Sequence, residues 1–209
     1  MSLRGQRVRL VPVDPEHAAE LFAAGHDGGD PALWEYLPYG PFSGVEEMRL
    51  WIGACAQSED PQFFTILDSG TGRALGMASY LRFAPDHRVV EIGHIWFGSA
   101  LQRTPAATEA IYLLSRHAFE ELHVRRLEWK CDAANERSRR AADRFGFTFE
   151  GVFRQHMLVK DRNRDTAWYS LLDGEWPEVR AAFEAWLDPA NFDDDGRQKR
   201  SLAELRGGS

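Results

Sequence analysis

Apolar positions along the chain recur at two spacings, and the places where one spacing gives way to the other divide it into elements. In residues 7–13, Val8 and Leu10 alternate with Arg7 and Arg9 until prolines intervene, which predicts an edge strand. Asp14 is placed to cap a helix over 16–24, where Ala18, Ala19, Leu21 and Phe22 share one side, and the run 26–31, with three glycine or proline positions, breaks it. A loop holding Trp34, Tyr36, Tyr39 and Phe42 follows, then a helix over 44–57 with Met48, Trp51, Ile52 and Cys55 in one stripe. The spacing then drops to two, and residues 62–67, 74–83 and 89–97 read as an antiparallel meander with polar turns. Strict alternation in the third of these strands puts Glu91, Gly93, Ile95 and Phe97 on one face and His94 on the other.

The helical period returns after Gln102. Thr104 fits an N-cap, Pro105 the first helical position, and Ala107, Ala110, Ile111, Leu114, Ala118 and Leu122 form the apolar stripe. Beyond it, Leu127, Trp129 and Cys131 alternate with Glu128 and Lys130 in a strand over 125–131. A short helix runs from its cap Asn135 to Gly146, with Ser138, Ala141, Ala142 and Phe145 inward. Strands over 148–159 and 165–172 with a polar turn between them, and a helix over 175–187, complete the pattern. Residues 188–209 read as a polar C-terminal tail, with one helical turn available at 201–205.

Composition narrows the class. A chain of 209 residues suits one α/β domain. It has no apolar run of membrane-spanning length and its first residues lack a signal-peptide pattern, so a cytoplasmic protein with no membrane partner is expected. Cys55 and Cys131 have no ligand-spaced companions, which argues for core thiols and against a metal site. A net charge of −7 disfavours a nucleic-acid partner and is compatible with an amine.

Three places carry candidate chemistry. The first is Gln102, Arg103, Thr104, Pro105, Ala106, Ala107 and Thr108, where a strand hands over to a helix. Backbone N–H groups converge at such an end and the dipole favours negative charge, so a pyrophosphate can be held there, although a plain capped helix looks the same. Pro105 removes one donor, which Arg103 or the hydroxyls of Thr104 and Thr108 could replace. The second is Glu91, a carboxylate among apolar residues and thus either a desolvated base or an outward strand residue. The third is Asn135 with Ser138, a cap and a small residue at the start of a helix crowded with Arg137, Arg139, Arg140 and Arg144.

With its order of elements and these spacings, the chain resembles the GNAT N-acetyltransferase superfamily, and within it the RimJ/RimL-type ribosomal-protein N-terminal acetyltransferases. The resemblance covers residues 5–186. It implies a single-domain α/β (α+β) fold over residues 1–187, with a mixed, mostly antiparallel sheet of about seven strands flanked by helices. It also implies transfer of an acetyl group from acetyl-CoA, or another acyl-CoA such as succinyl-CoA, to a small-molecule or peptide amine.

The resemblance further implies site residues. The pyrophosphate would lie on Gln102 to Thr108. The pantetheine arm would lie along Ile95, Trp96 and Phe97 and against Asn135. Glu91 is then the first choice as base and Ser138 the group assisting the leaving sulfur. Two family positions are filled differently: Pro105 stands for a glycine, and Ala142 for a tyrosine acid. On a penultimate strand where RimL-like enzymes carry a glutamate, Met157 stands, with His156 beside it. The aromatic loop, with Trp34, Tyr36 and Tyr39, is expected to wall the acceptor. Dimerisation occurs in the family and has no residue pattern of its own here. A coenzyme A-binding module without turnover is the alternative that the two departures favour.

Overall fold

A computed structural model describes residues 1–28 and 30–207. Gly29, in the break after the first helix, and Gly208 and Ser209, at the end of the expected tail, lie outside the described residues. Eight strands form one sheet: β1 (Leu3–Arg4), β2 (Val8–Pro12), β3 (Gln62–Asp68), β4 (Ala74–Ala84), β5 (Val89–Phe97), β6 (Arg126–Asp132), β7 (Thr148–Val159) and β8 (Arg162–Leu172). Their order is β1-β2-β3-β4-β5-β6-β8-β7, with every pair antiparallel except β5 and β6. The strand expected at the edge is therefore not the edge. Leu3 and Arg4 pair with Leu10 and Arg9 outside it, a two-residue strand too short to show a period.

The helices lie on both sides of this sheet. On one face, α3 (Pro105–Glu120), α4 (Glu136–Arg144) and α5 (Trp176–Leu187) enclose the larger core, in which Ile111, Leu114, Leu127, Tyr169 and Phe183 are fully or almost fully buried. On the other face, α1 (Ala18–His26) and α2 (Val45–Ala56) pack on β3, β4 and β5 around Met48, Ile52, Met77 and Trp96. Among the described residues this second core draws nothing from β6, β7 or β8, and no described helix covers the sheet's second half on that side. None of the described helices is long and apolar enough to cross a membrane.

The sequence accounts for α3 residue by residue. Thr104 Oγ1 accepts from the Ala107 N–H at 3.3 Å and Pro105 occupies the first turn, where no donor is needed. The residues read as a tail instead fold back on α5. Asn191 donates to the Trp186 carbonyl, Gln198 accepts from Trp186 Nε1, and Leu202, in α6 (Leu202–Leu205), enters the larger core.

Two irregularities shape the middle of the sheet. In β5, His94 takes φ +50 and the register with β4 shifts between Met77/Trp96 and Ser79/Gly93. This β-bulge reverses the alternation beyond it. His94 and Trp96 consequently join the α1–α2 side with Glu91, while Ile95 and Phe97 pack toward the larger core, the opposite of the faces expected from strict alternation. In β7, the register with β8 jumps from Phe153/Thr166 to Met157/Arg164 and Gln155 takes φ +49, so the hairpin bends sharply.

Candidate active site

β5 and β6 pair in parallel only from Val89–Arg126 to Ile92–Trp129. Beyond that point each strand continues without the other, and a cavity of about 210 Å³ opens where they part. Gly93, His94 and Ile95 line it from β5, Lys130, Cys131 and Asp132 from β6, and Asn135 and Ser138 from the start of α4. Tyr36 and Leu37 of the aromatic loop close one side, and His156, Met157 and Arg164 of the bent hairpin close another. The hairpin reaches that loop directly. Lys160 Nζ donates to the carbonyls of Trp34 and Gly40 at 2.8 and 2.7 Å, and Arg162 Nη2 to that of Glu35 at 3.1 Å.

Glu91 sits on the cavity wall with 5 % of its surface exposed. Its Oε2 lies 3.0 Å from Lys130 Nζ and 3.5 Å from Arg82 Nη1, ion pairs that leave this oxygen without an aligned hydrogen bond. Lys130 is held between Glu91 and Glu128, 2.8 Å away, and lies 3.7 Å from the centre of the Trp168 ring. Burial raises the Glu91 carboxyl above the ordinary range, and this outweighs the opposite pull of Lys130 and Arg82. The outcome is a carboxylate with increased affinity for a proton, on the wall of a cavity.

Ser138 lies across the parting from Glu91. Its Oγ accepts from Trp129 Nε1 at 3.0 Å, which occupies a lone pair and leaves the hydroxyl proton to be donated, with the Cys131 sulfur within its reach. Asn135 caps α4, its Oδ1 accepting the Ser138 N–H at 3.0 Å, so its side-chain oxygen is already used. Burial pushes the Cys131 thiol up and the Cys55 thiol to about 12, which makes neither a ready nucleophile.

At the turn into α3 the donors differ from those expected. Thr104 Oγ1 donates to the Leu101 carbonyl at 2.6 Å, Thr108 is buried with its hydroxyl accepting from Arg144, and Gln102 Nε2 donates to the Phe97 carbonyl at 2.7 Å. These three side chains are turned inward and do not substitute for the donor missing at Pro105. The backbone does. Arg103 takes φ +59, and the N–H groups of Arg103, Thr104 and Ala106 have no partner among the described residues, so an anion can still be held at this helix end with the exposed Arg103 beside it. The arginines of α4 are committed elsewhere: Arg137 to Asp30, Arg140 to Glu136, Arg139 to Tyr169 and Arg144 to Thr108.

Of the aromatic residues expected to wall the acceptor, only Tyr36 lines the cavity. Trp34 is buried against Trp96, His26 and Phe42, and Tyr39 stacks on His94 and packs at a tilt against Trp51, so both belong to the second core. Trp96 points there too and could offer a ligand only its backbone. His156 does line the cavity, its Nδ1 2.9 Å from Thr166 Oγ1. Sequence reasoning missed Arg82, Lys130 and Arg164. Lys130 carries a trace of its position, since it shares with Glu128 the face of β6 opposite Leu127, Trp129 and Cys131.

His94 lies between the Tyr39 and Phe63 rings with its Nδ1 unpartnered, and burial, helped by Arg82 and Arg164, brings its pKa down to about 4. The folded protein therefore keeps His94 neutral, whereas the unfolded chain takes up a proton below about pH 6.5. The stabilisation from this residue is complete above pH 6.5 and is lost as pH falls toward 4, up to about 3 kcal/mol over the interval at 1.36 kcal/mol per unit. Urea denaturation of the wild type and His94→Gln at pH 7 and 5 checks this. The wild type should lose more stability than the variant, and equal losses would rule it out.

The comparisons agree with this architecture. The model of the acetyltransferase (GNAT) domain matches residues 7–148. A GCN5-related N-acetyltransferase from Brucella melitensis superposes with a TM-score of 0.96 at 45 % identity, covering 99 % of this chain and 94 % of that one. The Bacillus subtilis (strain 168) protein named "Putative ribosomal N-acetyltransferase YdaF" is 34 % identical over 50 % of this chain and 57 % of its own length. The ribosomal-protein-serine acetyltransferase of Escherichia coli (strain K12) is 29 % identical over 46 % of this chain and 53 % of its own. Those two matches thus span little more than half of each curated relative. With a family match across most of its length and a near-complete structural counterpart, the chain belongs to the GNAT acetyltransferase family.

Proposed function

We propose that this protein is an N-acetyltransferase that moves an acetyl group from acetyl-CoA directly to a primary amine. The observation that carries this reading is the parting of β5 and β6 at Ile92–Trp129. Beyond it the two strands leave backbone unpaired, and Glu91 and Ser138 both line the cavity there.

The residues present suit acetyl-CoA. The free N–H groups of Arg103, Thr104 and Ala106 fit a pyrophosphate, and the strand edge at Ile95 fits an extended amide-bearing arm that pairs as an added strand. When bound, acetyl-CoA supplies the acyl group as an activated thioester. Glu91 accepts the proton that the amine must lose to become a nucleophile, and Lys130 and Arg82 keep the carboxylate ionised until then. Ser138, fixed by Trp129, offers its proton on the other side of the opening. The raised thiols of Cys55 and Cys131 favour direct attack over a covalent enzyme intermediate.

Purified protein mixed with acetyl-CoA and a panel of primary amines should release thiol in proportion to the amine acetylated, and only when amine is present. No release with any acyl donor or any amine overturns the assignment.

A further inference from the structure

The whole chain carries a net charge of −7, yet the cavity is lined by three cations, Arg82, Lys130 and Arg164, against two carboxylates, Glu91 and Asp132. Two of the cations are accounted for. Lys130 is paired with Glu91 and Glu128, and Arg82 with Glu91. Arg164 is not: it makes no ion pair within 4 Å and no side-chain hydrogen bond among the described residues, and its Nε is buried without a partner. The groups around it offer no substitute. Asp165 Oδ1 accepts from the Gln155 N–H and from Asn163, Asp132 Oδ1 accepts from the Ala134 N–H, and the Thr166 hydroxyl faces His156.

One donor of this guanidinium, Nε, is withdrawn from water and unfilled, which is costly, and in a cavity the economical explanation is that a ligand engages the fork. Its planar fork matches a carboxylate or a phosphate. The hairpin bend that starts at Phe153 brings Arg164 to this wall, away from the helix end at Arg103 to Ala106, so the nucleotide end of acetyl-CoA already has its own donors.

Resting on the acetyltransferase reading above, we infer that the acceptor is a small amine that also bears an anionic group, carboxylate or phosphate, with the anion on Arg164 and the amine toward Glu91. The two charges of such a molecule complement the two walls. A polyamine would put a second cation against Arg164. The cavity, near 210 Å³ and strapped on one side by Lys160 and Arg162, suits a small molecule or the single terminal residue of a larger one.

The test uses matched pairs: an amino acid and its carboxamide, phosphoethanolamine and ethanolamine, and a dipeptide with free or amidated C-terminus. Thiol release should give the anionic member of at least one pair a kcat/KM higher by about tenfold or more, equivalent to about 1.4 kcal/mol. Which pair responds separates carboxylate from phosphate and a free small molecule from a peptide end. In Arg164→Gln the members of that pair should come within about twofold, through loss of kcat/KM for the anionic member, with acetyl-CoA affinity unchanged. Equal rates in every pair, a preference for the neutral member, or a preference that survives Arg164→Gln would overturn the inference. Calorimetry of the same pairs on the protein with coenzyme A reads the preference without turnover. Selective binding of the anionic member with no thiol release would therefore count against the transferase reading while supporting the anion site.

Discussion

Replacing Glu91 by glutamine lowers kcat by about 10²–10⁴-fold, the range typical for removing a general base, with little change in acetyl-CoA affinity. The size follows from its position. Glu91 is almost fully buried on the cavity wall, and the other cavity carboxylate, Asp132, is already engaged by the Ala134 N–H. The pH profile gives an independent reading. Burial raises the Glu91 carboxyl above 4.5 despite Lys130 and Arg82. A base must be ionised to work, so kcat/KM should fall as pH drops through this raised value, and that limb should vanish in Glu91→Gln. His94, held down to about 4, and His156, also lowered by burial and neighbouring cations, titrate below their usual range. Steady-state rates between pH 5 and 8 decide the matter. An unchanged kcat in the variant removes Glu91 from the reaction, and an acid limb that persists assigns it to another group.

How far this site could be read from the sequence depends on the kind of information each part needs. α3 and its cap were legible because Thr104, Pro105 and the apolar stripe act locally, within one helix. The faces of β5 were not, because a single residue at positive φ inverts the alternation and that residue is a histidine, not the glycine that would have announced a bulge. Trp34, Tyr36 and Tyr39 were recognisable as an aromatic group, but whether each faces the cavity or the second core depends on Trp96, Phe42 and His94, which belong to other elements. The inward turn of Gln102, Thr104 and Thr108 is likewise a matter of partners: Phe97, Leu101 and Arg144 offer those side chains an acceptor or donor that the motif does not display. The cations of the cavity come from β4, β6 and β8, which meet only through the crossover that makes β5 and β6 parallel neighbours. Leu202 was hidden in a polar stretch whose composition alone suggested a tail, although Leu202 with Phe192 and Leu205 gives it enough apolar surface to dock.

Glu109 extends the same lesson to stability, since a carboxylate interrupting the apolar stripe of α3 gives no outward sign of its partners. It is 4 % exposed, and its two oxygens accept the backbone N–H groups of Gln6, Arg7 and Val8 at 3.0, 2.7 and 2.8 Å. The turn between β1 and β2 is thus wrapped around one side chain, so closely that a Cβ on Gly5 would lie 2.6 Å from the carboxylate. Glu109→Ala leaves three N–H groups without their acceptor, that of Val8 buried, and should destabilise the fold by about 3–5 kcal/mol, because each hydrogen bond to a charged group contributes about 1.5–3 kcal/mol and losses at neighbouring sites are not additive. Glu109→Gln keeps the volume and one acceptor but turns an NH₂ toward the same donors, so its cost should be smaller though still above 1 kcal/mol. Glu136, an exposed partner of Arg140 on the surface of α4, provides the contrast: its replacement by alanine should change stability by about 0.5 kcal/mol or less. Urea midpoints at constant m measure all three. If Glu109→Ala shifted the midpoint no further than Glu136→Ala, water would have to be satisfying the turn in its place, and the clamp between the first strands and α3 would not be what holds the sheet's outer edge to that helix.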